Sequence, residues 1–180
     1  MMKPINAVAL SGFTLTAIGL YLLSHFPFIP AWAVFITWAC FFHLDGGIDK
    51  NKAFFSTIRH IGLGALASWF SALLVLNNPL VSEWANPLWA PLLIAAVIAA
   101  LMRLGAITQF SATPAIVYGY ASIWAFLSVP GLFNQQTLLS LSFQNAIVTM
   151  LFCVLLGACA AYINAIMVSW LCNIKLAGKY

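Results

Sequence analysis

Side chains able to do acid–base, nucleophilic or metal chemistry are few in this 180-residue sequence: three histidines, three Asp or Glu and four cysteines. One histidine–carboxylate pair, His43 and Asp45, is close along the chain. Its i, i+2 spacing at a helix end is a weak arrangement for acid–base work. Cys40, Cys153, Cys159 and Cys172 sit within or at the edge of apolar runs, with no C-x-x-C pair and no histidine to complete a zinc pattern. They read as small apolar helix residues. There is no H-E-x-x-H, no glycine-rich phosphate loop and no G-x-S-x-G. The expectation is therefore no enzyme, no metal and no cofactor.

What remains is hydrogen-bonding chemistry inside apolar sequence. Thr37, Ser68, Ser71, Ser122, Thr149 and Asn164 fall within hydrophobic stretches, and Asn164 is the strongest candidate because an amide in hydrocarbon wants partners. Aromatic residues concentrate beside them: Trp32, Phe35, Trp38, Phe41 and Phe42 in one stretch, Tyr118, Tyr120, Trp124 and Phe126 in another. One reading is core packing, interfacial aromatic belts and interhelix hydrogen bonds. The functional reading is a narrow solute pathway through Thr37, Trp38, Ser71, Tyr118, Tyr120, Ser122, Trp124 and Asn164. His43, Asp45, Arg59 and His60 would form a vestibule at its cytoplasmic end, or else are solvated helix ends.

The elements that must position these groups follow from composition. Hydrophobic residues make up 64% of the chain and charged residues 6%, and the mean hydropathy is +1.03. A soluble domain carries roughly 25% charged residues, so ten charged side chains cannot cover a water-soluble surface. The chain reads as an all-α integral membrane protein. A crossing needs about 20 apolar residues, and six segments qualify or nearly so: 5–24, 28–44, 54–76, 88–107, 113–130 and 146–172. Turn chemistry separates them at Pro27 and Pro30, Asp45-Gly46-Gly47, Asn77-Asn78-Pro79, Thr108-Gln109, Pro130-Gly131 and Asn134-Gln135-Gln136-Thr137. The apolar run from Ile5 to Phe26 is too long for a signal peptide and reads as a retained first span.

Six spans put every cation on one side. Lys3 precedes span one; Lys50, Lys52 and Arg59 lie around the link from two to three; Arg103 is near the link from four to five; Lys175 and Lys179 follow span six. The other links carry Glu83 and no Lys or Arg. The positive-inside rule then makes both termini cytoplasmic. The net charge of +4 is thus topology information, and nucleic acid is not an implied partner. No charged residue lies near a predicted midplane, where ion-coupled pumps usually carry one.

The halves 1–80 and 81–180 resemble each other, within a single transmembrane domain. Gly64-Ala65-Leu66-Ala67-Ser68-Trp69-Phe70-Ser71 lines up with Gly157-Ala158-Cys159-Ala160-Ala161-Tyr162-Ile163-Asn164. Pro30-Ala31, Phe42 and Gly47 recur as Pro114-Ala115, Phe126 and Gly131, while a shift of two pairs Trp38-Ala39 with Trp124-Ala125, so the register of spans two and five stays open. Three spans per half make a 3+3 inverted-topology repeat. Gly64 and Ser68, with Gly157 and Ala161, put small residues on one face of each helix, the pattern that lets helices pack closely in lipid. Spans two and five are short, about 22 and 24 Å at 1.5 Å per residue. Short, Pro/Gly-bounded segments at matching places in two halves point to a binding site.

The stretch Ala31-Trp32-Ala33-Val34-Phe35, continuing through Trp38-Ala39-Cys40-Phe41-Phe42 to Gly46-Gly47, and the stretch Pro114-Ala115-Ile116-Val117-Tyr118-Gly119-Tyr120-Ala121 resemble the YcdZ-like bacterial inner-membrane proteins, labelled domain of unknown function 1097. The resemblance runs from about residue 10 to 172. It implies a bacterial inner-membrane location and supplies no catalytic residue or substrate to carry over. Taken together, the sequence predicts a homo-oligomeric channel or facilitator for a small neutral or weakly ionised solute, passing between the second and fifth helices. The competing class is a structural or interaction protein that assembles with a membrane partner.

Overall fold

The computed structural model describes residues 2–80 and 82–173; Lys175 and Lys179 lie outside the described residues. Those described form seven helices and no strand. They are α1 (Pro4–Leu23), α2 (Ala31–His43), α3 (Lys50–Leu76), α4 (Asn86–Leu104), α5 (Thr113–Leu127), α6 (Gln135–Leu139) and α7 (Ala146–Asn173). Four of them, α1, α3, α4 and α7, are long and apolar enough to cross a membrane. With 13 and 15 residues, α2 and α5 extend only about 20 and 22 Å.

Local chemistry sets the ends. Proline opens α1, α4 and α5 in the first turn, where its missing N–H costs nothing. Asp49 caps α3 by accepting from the Lys52 N–H at 3.0 Å. At the end of α2, Asp45 takes φ +62°, and the Gly46 N–H returns to the Phe41 carbonyl at 3.0 Å. That left-handed turn satisfies a carbonyl the helix leaves open.

Two features depart from the expected links. Asn134 to Thr137 was read as a polar connection; instead Asn134 caps the short α6, its side chain accepting from the Thr137 N–H at 2.9 Å. Thr108-Gln109, also read as a break, winds into a single 3-10 turn over Thr108–Phe110.

The interior is built by two extensive pairings, α3 on α5 and α2 on α7, with α3 and α7 packed on each other. Peripheral α1 rests on α7 and α4 on α3, while α6 sits against α3 and α7. Close approach needs glycine at three points. A Cβ on Gly64 would meet the backbone of Ile116 and Tyr120, one on Gly119 the backbone of Ile61, and one on Gly157 the Val34 carbonyl and Thr37. In lipid, where water does not drive helices together, such contact supplies dispersion and backbone proximity instead.

Candidate functional site

Where α2 begins and α5 ends, the connecting segments and α6 enclose a cup of about 600 Å³. Pro27, Phe28, Pro30 and Trp32 form one wall; Phe126, Val129, Gly131 and Leu132 form the other. Asn134, Gln136, Thr137, Phe143 and Gln144 complete it, so its polar groups are three carboxamides and a hydroxyl, with no charged side chain. The volume lies within the usual range for small-molecule sites.

The polar groups are held by bonds that leave capacity over. Asn134 donates from Nδ2 to the Gly131 carbonyl at 2.6 Å while its oxygen caps α6. Gln136 donates from Nε2 to Gln144 Oε1 at 2.9 Å. That bond leaves the Gln136 oxygen to accept and the Gln144 nitrogen to donate. A donor beside an acceptor complements another amide. Phe143 fixes the apolar side, its ring 5.0 Å from Phe28 and 5.2 Å from Phe152.

Beneath the cup, Asn145 is a buried hub. Its Nδ2 donates to the carbonyls of Leu138 at 3.2 Å and Ser140 at 2.7 Å, and its Oδ1 accepts from the Ile147 N–H at 3.0 Å. Trp69 of α3 also donates to the Leu138 carbonyl, at 2.8 Å. Sequence reasoning passed over Asn145, Gln136 and Gln144 because they lie in a link between apolar runs. The clustering of five amide residues from Asn134 to Asn145 was the signal present.

The residues proposed for a pathway fall into separate places. Ser71 on α3 and Tyr120 on α5 are buried and share a hydroxyl–hydroxyl bond of 2.9 Å. Trp38 and Asn164 line a second groove, of about 370 Å³, between α1, α2 and α7. Thr37 is buried against Gly157, and its hydroxyl donates to the Ala33 carbonyl at 3.0 Å. Ser122 likewise donates to the Tyr118 carbonyl at 2.8 Å. Tyr118 itself is 48% exposed. Trp124 packs in the core with its ring 6.0 Å from Phe133.

The four residues proposed for a vestibule also part company. His43, Asp45 and Arg59 are exposed, whereas His60 is buried at 2% exposure. His60 donates from Nδ1 to the Ser56 carbonyl at 2.7 Å and accepts at Nε2 from the Ala112 N–H at 3.3 Å. It therefore latches the α4–α5 connection to α3, and Arg59 sits over the Phe110 ring in the same connection. Asp45 serves the turn that ends α2. The hydroxyls of Thr57 and Ser68 are buried on α3 without a partner among the described residues. No group of three His, Cys, Asp or Glu among the described residues converges as a metal site.

No curated protein and no solved structure matches the chain. A family model does match it, over residues 9–169, nearly the whole of this apolar bundle, and the chain accordingly belongs to the family described as Protein of unknown function (DUF1097).

Proposed function

We propose that this membrane protein is a facilitator for a small uncharged solute, set in a bacterial inner membrane with both termini cytoplasmic and built as two inverted three-helix units. The observation that carries the reading is the cup of three carboxamides and a hydroxyl at the ends of the two short helices, walled by aromatic rings and free of charge. Such a lining exchanges hydrogen bonds with a neutral polar solute and holds no charged side chain to offset the desolvation of an ion. From the cup the proposed route enters between α2 and α5; Ser122 on α5 bonds to its own helix and keeps a lone pair to accept from a solute.

The inverted repeat is supported by burial. A shift of 93 positions, from Gly64 to Gly157, lays buried Ser68, Ser71 and Ala72 on buried Ala161, Asn164 and Ala165. For the short helices a shift of 82, from Ala33 to Ala115, lays buried Val34, Thr37, Cys40 and Phe41 on buried Ile116, Gly119, Ser122 and Ile123. The packing follows the same exchange: α3 on α5 answers α7 on α2, and α4 on α3 answers α1 on α7. Six crossings then follow, with α2 and α5 as the short ones.

The competing reading as an interaction protein loses its main support. The small faces at Gly64 and Gly157 are occupied within the chain, by α5 and α2. Proteoliposome flux tests the proposal. Urea or acetamide should equilibrate faster than in empty vesicles, and Gln136→Ala with Gln144→Ala should slow it severalfold. Equal rates in loaded and empty vesicles across a panel of neutral amides, diols and weak acids would sink it.

A further inference from the structure

We infer that the groove between α1, α2 and α7 is a binding site for an uncharged, membrane-soluble molecule carrying a hydrogen-bonding carbonyl, anchored by Asn164. Three observations converge. The groove holds about 370 Å³ and carries no charged side chain, a volume suited to a ring or a short chain. Asn164 reaches it from α7 and is 3% exposed. Among the described residues its carboxamide makes one hydrogen bond, from the Ser11 hydroxyl, at the long distance of 3.5 Å. A carboxamide has two donors and an acceptor to satisfy, and this holds whichever way round its oxygen and nitrogen are placed. An amide left short of partners in an apolar interior keeps an uncompensated desolvation cost. A carbonyl in the groove would remove that cost.

The wall fits a flat or chain-like apolar body. Phe35 and Trp38 stack with centroids 6.2 Å apart and planes 23° from parallel. Outer helix α1 rests on α7 rather than on α2, so the groove lies along the seam between two apolar outer surfaces.

The other half of the molecule shows what a filled version looks like. In the repeat proposed above, Ser71 stands where Asn164 does and Tyr120 where Trp38 does. There the two hydroxyls bond each other at 2.9 Å, and Leu101, Ile94, Val97 and Ile98 of α4 pack over Tyr120. At the α1 groove the amide has, among the described residues, only the long 3.5 Å bond from the Ser11 hydroxyl. This contrast draws on the repeat; the groove and the short-changed amide stand without it, and neither draws on solute transport.

A quinone ring carbonyl and a glycerolipid ester carbonyl share the required chemistry, so the experiment separates them. Purified full-length protein in detergent is titrated with a decyl-substituted benzoquinone, read by quenching of tryptophan fluorescence, and dioctanoylglycerol is the competitor. Saturable quenching is expected; displacement by the glyceride assigns the site to lipid, and its absence assigns it to the quinone. If the quinone does not quench but the glyceride raises the unfolding temperature of the wild type alone, lipid is again the ligand. Asn164→Leu should weaken binding at least tenfold. Gly12 lines the groove with open space around a would-be Cβ, so Gly12→Leu should block it without a clash. Gly19, also with open space but outside the groove, is the control, and Gly19→Leu should bind as wild type. Unaltered binding in both Asn164→Leu and Gly12→Leu, or no response to either probe, would overturn the site.

Discussion

Gly64 and Gly157 show how much one hydrogen in place of a methyl decides. Each lies against another helix's backbone, so an added Cβ cannot be accommodated by turning a side chain. Gly64→Ala and Gly157→Ala should each lower stability by about 1–3 kcal/mol in detergent unfolding. Gly12→Ala, which meets open space, should be neutral or gain up to about 1 kcal/mol from helix propensity. Equal losses at all three positions would refute the packing argument. The spacing of small residues made the two faces legible in the sequence; the partners were not, because a spacing names a face and not what lies on it. Gly119, which takes the Ile61 backbone in the same seam, has the same spacing of four with Ala115, and the sequence reading did not use it. Asp45 was read for its charge, whereas its place is set by a backbone φ of +62°.

Among the elements, six apolar runs were legible to within a few residues, since hydrocarbon crossing demands length and apolarity together. The seventh helix was not. Five residues are too few for a hydrophobic period to show, and α6 owes its existence to the Asn134 cap and to Leu138, which is fully buried among Ile147, Met150 and Trp69. Removing that cap should cost about 1 kcal/mol. Asn134→Ala should raise hydrogen exchange at 135–139 and slow amide flux, with unfolding of the bundle otherwise little changed. Unaltered exchange there would show that burial of Leu138 alone holds α6. The register of the short helices stayed open in the sequence for a related reason. Aligning Pro30 with Pro114 matches punctuation, and punctuation belongs to links of different build. The buried face matches best at another shift, where Ala33 meets Ala115 and Phe41 meets Ile123.

At the scale of the molecule, the proposed topology rests on the charge asymmetry along the sequence, and site labelling tests it. Ile48, Trp84 and Leu141 are 89%, 77% and 103% exposed in three different links. In a background without the four native cysteines, Trp84→Cys and Leu141→Cys should react with an impermeant maleimide added outside intact cells. Ile48→Cys should react only after the membrane is opened. If α2 and α5 failed to cross, Ile48→Cys would label from outside and Trp84→Cys would not. The location of the cup was not legible, because it depends on how separate links meet across the bundle. Its amide character was present in the residues of one link.

Residues 128–145, which join α5 to α7, carry α6; residues 44–49, which join α2 to α3, have no room for a counterpart. The two corresponding links are therefore unequally built, one with a short helix and the other with a tight turn. For a passive route, microscopic reversibility forbids this lopsidedness from concentrating anything. It can appear only as unequal half-saturation from the two faces, compensated by unequal maximal rates. Vesicles with the protein inserted in random orientation would then report a blend of two saturation curves, and those sorted to one orientation a single curve.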